Sequence, residues 1–366
     1  MESVATRDIR IHIKELIKSS DEKQNVIAAK IGISEGYLSK FLSGKEINFW
    51  MVREIIRYVD PENETALMEQ HCLTGVKKKN FASALEYCYT KQLYSVIETL
   101  ISAQIERDGK YDLWSNIYRF ILNSRFSFGN IEYTEGLKKF SPSCDEMRTL
   151  LSILEMYGYF YNGRYEITLY HIRSIRSLIE NLSDPFLKIA FTARIEEVLV
   201  NIYLKQNNDV NKAREAAFSL LEKDLSINLN MTALYILALS YMNESYCHSY
   251  RYYLRCLNLL ANFPDRIEEM VQNKEEIAIL QYYWNKEISK EFQVTEFAKA
   301  LGRSEPLTSF YSDPFYKKYA LLFDGKREEN AEKLLLSLYY FSQQQDQFRA
   351  TIPKIILIKL GFNFNI

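Results

Sequence analysis

"QNVIAAKIGISEGYLSKFLSGKE", residues 24–46, places apolar side chains at Ile27, Ala28, Ile31, Ile33, Leu38 and Phe41, with Gly32 between two short runs. A helix-turn-helix makes three demands: a small residue on the first helix where the second crosses it, a tight turn, and one buried stripe on each helix. Ala28, Gly32 and the apolar spacing meet all three. Ser34 stands where an N-cap belongs, so the second helix is predicted from Glu35 to Ser43, with Gly44 just past its end. Its outward side chains are then Glu35, Tyr37, Ser39 and Lys40.

A recognition helix enters the major groove with its N-terminal part, so Ser34, Glu35, Tyr37 and Lys40 are candidates for base edges and nearby phosphates. Ser39 shares that outward face. Lys45 beyond the helix, and Gln24 with Asn25 at the start of the preceding one, are candidate phosphate contacts. The spacing resembles the bacteriophage-repressor type of helix-turn-helix over some twenty residues; the competing reading is a helical hairpin that only packs. Residues 1–58 hold ten Lys and Arg against eight Asp and Glu. So small an excess gives little counterion release, and useful affinity calls for two copies on two half-sites.

Around this head lie roughly 300 residues with no basic excess, in a chain of 366 with net charge −1. Hydrophobic residues make up 47% and charged ones 25%, which fits a folded chain larger than one core and excludes a disordered one. No run of about eighteen residues is apolar throughout, and "MESVATRDIRIHIK" lacks an apolar signal core, so we expect a cytoplasmic protein without a membrane partner. The five cysteines, Cys72, Cys88, Cys144, Cys247 and Cys256, are odd in number and widely spaced, which suits reduced thiols. With only 12 Gly and 7 Pro, turns and strands are starved and helices favoured. The expected fold class is all-α, a helix-turn-helix domain followed by a tetratricopeptide-like α-solenoid.

Asp60-Pro61 interrupts the helical pattern, giving expected boundaries of 1–60 for the DNA-binding head, 61–80 for a linker helix or junction, and 81–366 for the repeats. Candidate helical units are 81–103, 113–140, 146–182, 185–223 and 228–263, followed by looser pairs at 265–301 and 313–364. Repeats of this length stack into a curved array whose concave face suits an extended peptide. Asn162, Asn201 and Asn243 recur about 40 residues apart near the ends of first helices. An amide side chain there can bond a peptide backbone; the plainer alternative is that these residues end helices.

Four scattered histidines and the adjacent pairs His71-Cys72 and Cys247-His248 do not make a metal site, since neighbours on a helix point apart. No GxxxxGK[ST], GxSxG or HExxH motif is present, so neither cofactor nor catalysis is expected. "VKKKNF", residues 76–81, holds the only triple lysine; it is read as a solvated helix start, with contact to DNA phosphates as the alternative.

A repressor-like head on helical repeats resembles the bacterial peptide-pheromone receptors, and more closely the arbitrium receptors of Bacillus phages, the AimR family. The resemblance is carried by "LMEQHCLTGVKKKNFASALEYCYTKQLYSVIETLI" (67–101) and "FSQQQDQFRATIPKIILIKLG" (341–361), with the head and repeats between them. It implies a homodimeric sensor that binds a phage promoter region without peptide, promotes transcription favouring lysis, and is switched off by a signalling peptide. It also implies peptide contacts at Asn201, and at Asp346 and Phe348, an acid and an aromatic around the peptide. Lys205 stands where the family has a second Asn, and Asn228 where it has an Arg facing the peptide C-terminus; Lys205 is the candidate replacement for that Arg. The C-terminal region is the expected dimer contact. The alternatives are a constitutive DNA-binding scaffold holding a protein partner, and a member of the pheromone-receptor group that docks an enzyme.

Overall fold

The computed structural model describes residues 8–364 apart from 75, 109–111 and 126, and every regular element among them is helical. The head is built from α1 (Ile9–Ser19), α2 (Gln24–Lys30), α3 (Glu35–Leu42) and α4 (Phe49–Val59). α2 and α3 each end in the same way. Gly32 has φ +72°, Ile33 N–H donates to the Ala28 carbonyl at 3.0 Å, and Gly32 N–H to Ala29 at 3.2 Å. Gly44 has φ +86°, Lys45 N–H donates to Lys40 at 2.9 Å, and Gly44 N–H to Phe41 at 3.0 Å. This paired closure satisfies carbonyls the helix leaves open, and only a residue tolerant of positive φ holds it cheaply. The buried stripe is Ile27, Ala28, Ile33, Leu38 and Phe41. Full burial of Leu38 or Phe41 stabilises by about 1.5–3 kcal/mol each.

By compactness the chain falls into two units, residues 1–194 and 195–366. In the first, the described residues after the head form a 3-10 turn at Pro61–Asn63, α5 (Glu64–Leu73), a second 3-10 turn at Lys78–Asn80, then α6 (Phe81–Thr90). α4 packs on both α5 and α6. Phe49 lies 5.7 Å from the Tyr87 ring and 5.6 Å from Phe186, so the head shares its core with the helices that follow. Arg53 Nε donates to Glu64 at 3.1 Å inside that core. The remaining helices of this unit include the pair Asp145–Tyr161 and Tyr165–Glu180, joined at Gly163 with φ +70°.

The second unit continues in contacting neighbours: Val210–Lys223 with Ile227–Ser240, that helix with Tyr246–Leu260, and Lys317–Arg327 with Ala331–Gln343, which in turn contacts Gln347–Lys359. The segment 313–364, expected as a pair, thus holds three helices. Its extra turn at Gln345 has φ +58° without glycine. Left-handed residues of ordinary type also close the breaks at Gln92, Asn208, Asp224 and Glu329, which is how a chain with so few glycines makes so many tight turns. No helix among the described residues is long and apolar enough to cross a membrane.

Candidate functional site

The head presents its outward face as the spacing anticipates. Ser34, Glu35, Tyr37, Ser39, Lys40, Lys45 and Asn25 are exposed, and Gln24 is half-buried. Ser34 has N-cap backbone geometry (φ −77°, ψ 150°), but its hydroxyl makes no capping bond. The Lys40 amine sits 4.9 Å from the centroid of the Tyr37 ring, a cation on an aromatic face that gives the two side chains a common orientation. Asn25 Oδ1 accepts from Val26 N–H at 3.0 Å at the start of α2.

Of the five candidate peptide contacts, three fall on one charged cluster in the second unit. Helix Pro185–Asn201 runs into a π-helical turn at Ile202–Gln206, closed by Asn207 N–H donating to Ile202 at 3.0 Å. The wider turn carries Lys205, whose amine donates to Asn201 Oδ1 at 3.0 Å and lies 5.5 Å from the Tyr235 ring centroid. Asn201 Nδ2 donates back to its own helix at the Glu197 carbonyl, 3.0 Å away. Such single π turns recur at functional sites because they re-aim side chains without breaking the helix.

Asp346 is already engaged. One oxygen accepts Arg349 N–H at 3.0 Å as an N-cap, and the other accepts the Arg349 guanidinium at 2.9 Å. The same guanidinium donates to Glu276 at 2.6 Å and to the Tyr235 hydroxyl at 2.9 Å. Phe348 is 3% exposed and belongs to the core, so its ring is not presented at the surface. Lys318, also buried, donates to Gln344. Burial first, and then the Arg349 charge, push the Lys205 and Lys318 amines below the usual lysine value, against a raising pull from Asp346 and Glu276. The cluster therefore gathers three cations, Arg349, Lys205 and Lys318, against two carboxylates.

Asn228 lies two turns before Tyr235 on helix Ile227–Ser240, and its Oδ1 accepts from Arg266 at 2.7 Å. The chain thus delivers a guanidinium to this position from the N-cap of Ile267–Tyr283, two helices further on, although the residue at the position itself is an amide. Asn162 caps its helix and donates to the Gly158 carbonyl at 2.9 Å. Asn243 donates to Thr351 at 3.3 Å while its carbonyl oxygen is buried without a partner among the described residues. Glu276, Tyr235, Arg349 and Arg266 escaped the sequence reading. Arg349 alone had a local signal, three residues after Asp346 in "DQFR", where it reaches its own N-cap acid.

Residues 64–359 match the family model described as AimR transcriptional regulator-like. The chain belongs to that family. It is 24% identical over 380 residues to the AimR transcriptional regulator of Bacillus phage SPbeta, covering 97% of each chain. It is also 24% identical, over the same span, to the SPbeta prophage-derived uncharacterized protein YopK of Bacillus subtilis (strain 168). Among solved structures, SeMet-phAimR superposes with a TM-score of 0.74 over 97% of both chains at 18% identity. The structure of phAimR-Ligand superposes with a TM-score of 0.63 over 86% of this chain and 98% of that one, at 16% identity.

Proposed function

We propose that this chain is a non-enzymatic, peptide-responsive transcription regulator of a phage lysis–lysogeny decision, working as a homodimer in the bacterial cytoplasm. Residues 1–60 read DNA, 61–80 are the junction, and 81–366 receive the peptide and pair the two copies. Without peptide it binds a promoter region and activates; peptide switches it off. The observation that carries the reading is the recognition helix itself: an exposed Ser34, Glu35, Tyr37, Ser39 and Lys40 held between two glycine closures. Family membership and the regulator name of the SPbeta relative support it.

On this reading the peptide meets Asn201 and Lys205 at the π turn, and its C-terminal carboxylate is met by Arg266 beside Asn228, or by Lys205 in its place. A charge-assisted bond to a guanidinium suits a carboxylate, and an amide neighbour holds the fork in place. Asp346, neutralised by Arg349, orients that arginine in place of contacting a basic peptide residue.

The test uses DNA flanking the gene and synthetic peptides cut from any small secreted pro-peptide encoded beside it. Operator affinity is expected to change on adding the cognate peptide, and DNA must weaken peptide binding by the same factor. Replacing Tyr37 and Lys40 by Ala is expected to abolish operator binding with helicity intact by circular dichroism. Survival of binding would place the recognition helix elsewhere, and a stable protein partner with no peptide response would mark a constitutive scaffold.

A further inference from the structure

The lysine run at 77–79 has no part in the reading above. The fold brings its first member to the loop that follows the recognition helix, beside Glu46. There the Asn80 side chain donates to Glu46 Oε1 at 3.0 Å and to the Ile47 carbonyl at 2.9 Å, and accepts from Phe49 N–H at 3.1 Å. Three bonds from one buried amide pin the loop after α3 to the junction and set Lys77 beside Lys45. Between them is a cavity of about 110 Å³, lined by Arg10, Lys45, Glu46, His71, Lys77 and Asn80 among others.

The cavity's charge is unbalanced. Its one carboxylate, Glu46, is shared between Asn80 and the Lys77 amine 3.6 Å away. Arg10 reaches Asp8 only at 3.9 Å, and its Nε is buried with no hydrogen-bond partner among the described residues. Burial, and then the positive charge of Arg10, push His71 down to about 4, so the ring is neutral at physiological pH and adds no further positive charge. Three cations thus line, with one carboxylate, a space with room for a small anion, and one of them, Arg10, has an Nε with no acceptor among the described residues.

We propose that this cavity takes a backbone phosphate of duplex DNA, gripped by Arg10, Lys45 and Lys77. The contact rests on the reading of the head as a DNA binder and extends it: α1 and the junction, not the recognition helix alone, hold the duplex. A phosphate contact carries no sequence information, so it fixes how the head sits on the groove and adds affinity on any sequence.

Because the contact is sequence-independent, the test needs no operator. Full-length protein is titrated with a random-sequence duplex of about thirty base pairs at several salt concentrations. The Arg10→Gln/Lys77→Gln variant is expected to lower the slope of log affinity against log salt by about 0.9 and to weaken binding about tenfold near 0.1 M salt. Arg10→Lys should keep most of the slope, and Lys139→Gln, exposed in the turn after Ile131–Leu137, all of it. If the double variant does not fold, Lys77→Gln alone carries the test, since that side chain is largely exposed. Wild-type binding with an unchanged slope in the variant overturns the clamp and leaves the DNA reading standing. A wild type that does not bind the duplex at low salt overturns both. Inorganic phosphate that protects wild type from heat but not the variant, with no change in slope, assigns the cavity to free phosphate and overturns the DNA contact.

Discussion

Arg194 in the first unit and Arg349 in the second are each 5% exposed, so burial does not distinguish them. Their partners do. Arg194 meets one carboxylate, Glu86, through two bonds of 2.8 Å, while the Tyr118 hydroxyl donates to the same group at 2.6 Å and the Tyr89 ring lies 4.3 Å below the guanidinium. One charge answers one charge. Arg349 divides its donors among Asp346, Glu276 and Tyr235, and Lys205 and Lys318 add cations nearby. For both arginines burial opposes the charge and the adjoining acid outweighs it, Glu86 in one case and Glu276 in the other. The pair is balanced in charge, whereas the cluster is left with a surplus of positive charge.

The largest effect should come from breaking the balanced pair. Glu86→Gln strands Arg194 in the core and is expected to cost about 3–5 kcal/mol in urea unfolding. A loss below about 1 kcal/mol would remove the strut from the comparison. Arg349→Gln should cost less, about 1–2 kcal/mol, because Lys205 and Lys318 remain to answer Asp346 and Glu276. An equal loss at both sites would show that the surplus cations do not compensate.

The smallest effect sharpens the comparison through pH. Lys205 has a folded pKa below its ordinary 10.5, so between the two values the unfolded chain holds more protons and stability rises with pH. The destabilising cost is present in full below the folded value and is relieved as pH climbs toward 10.5. Measured as urea midpoints at about pH 8 and about pH 10, wild type should gain on Lys205→Met. A constant difference would mean that burial and the Arg349 charge together do not lower Lys205 in the folded chain.

The head was legible because its determinants are local. Gly32 and Gly44 supply positive φ, and Ala28, Leu38 and Phe41 fall at helical spacing within a few turns. The helix pairs were legible for the same reason, though breaks made by Gln92, Glu329 and Gln345 in left-handed geometry carry no glycine to announce them. The clusters were not legible. Arg194 meets Glu86 across 108 positions, and Arg349 meets Tyr235 across 114 and Glu276 across 73, distances over which periodicity says nothing. At Phe348 the resemblance pointed to a peptide contact, and packing put the ring in the core.

The π turn at Ile202–Gln206 is, geometrically, one residue more than an α-helical turn needs. Losing that residue would restore ordinary pitch and re-aim the side chains inside the turn, with the register outside it kept. Lys205 would leave Asn201 while the helices on either side kept their cores. A single-codon deletion there is thus a way to re-aim one lysine with little reach into folding.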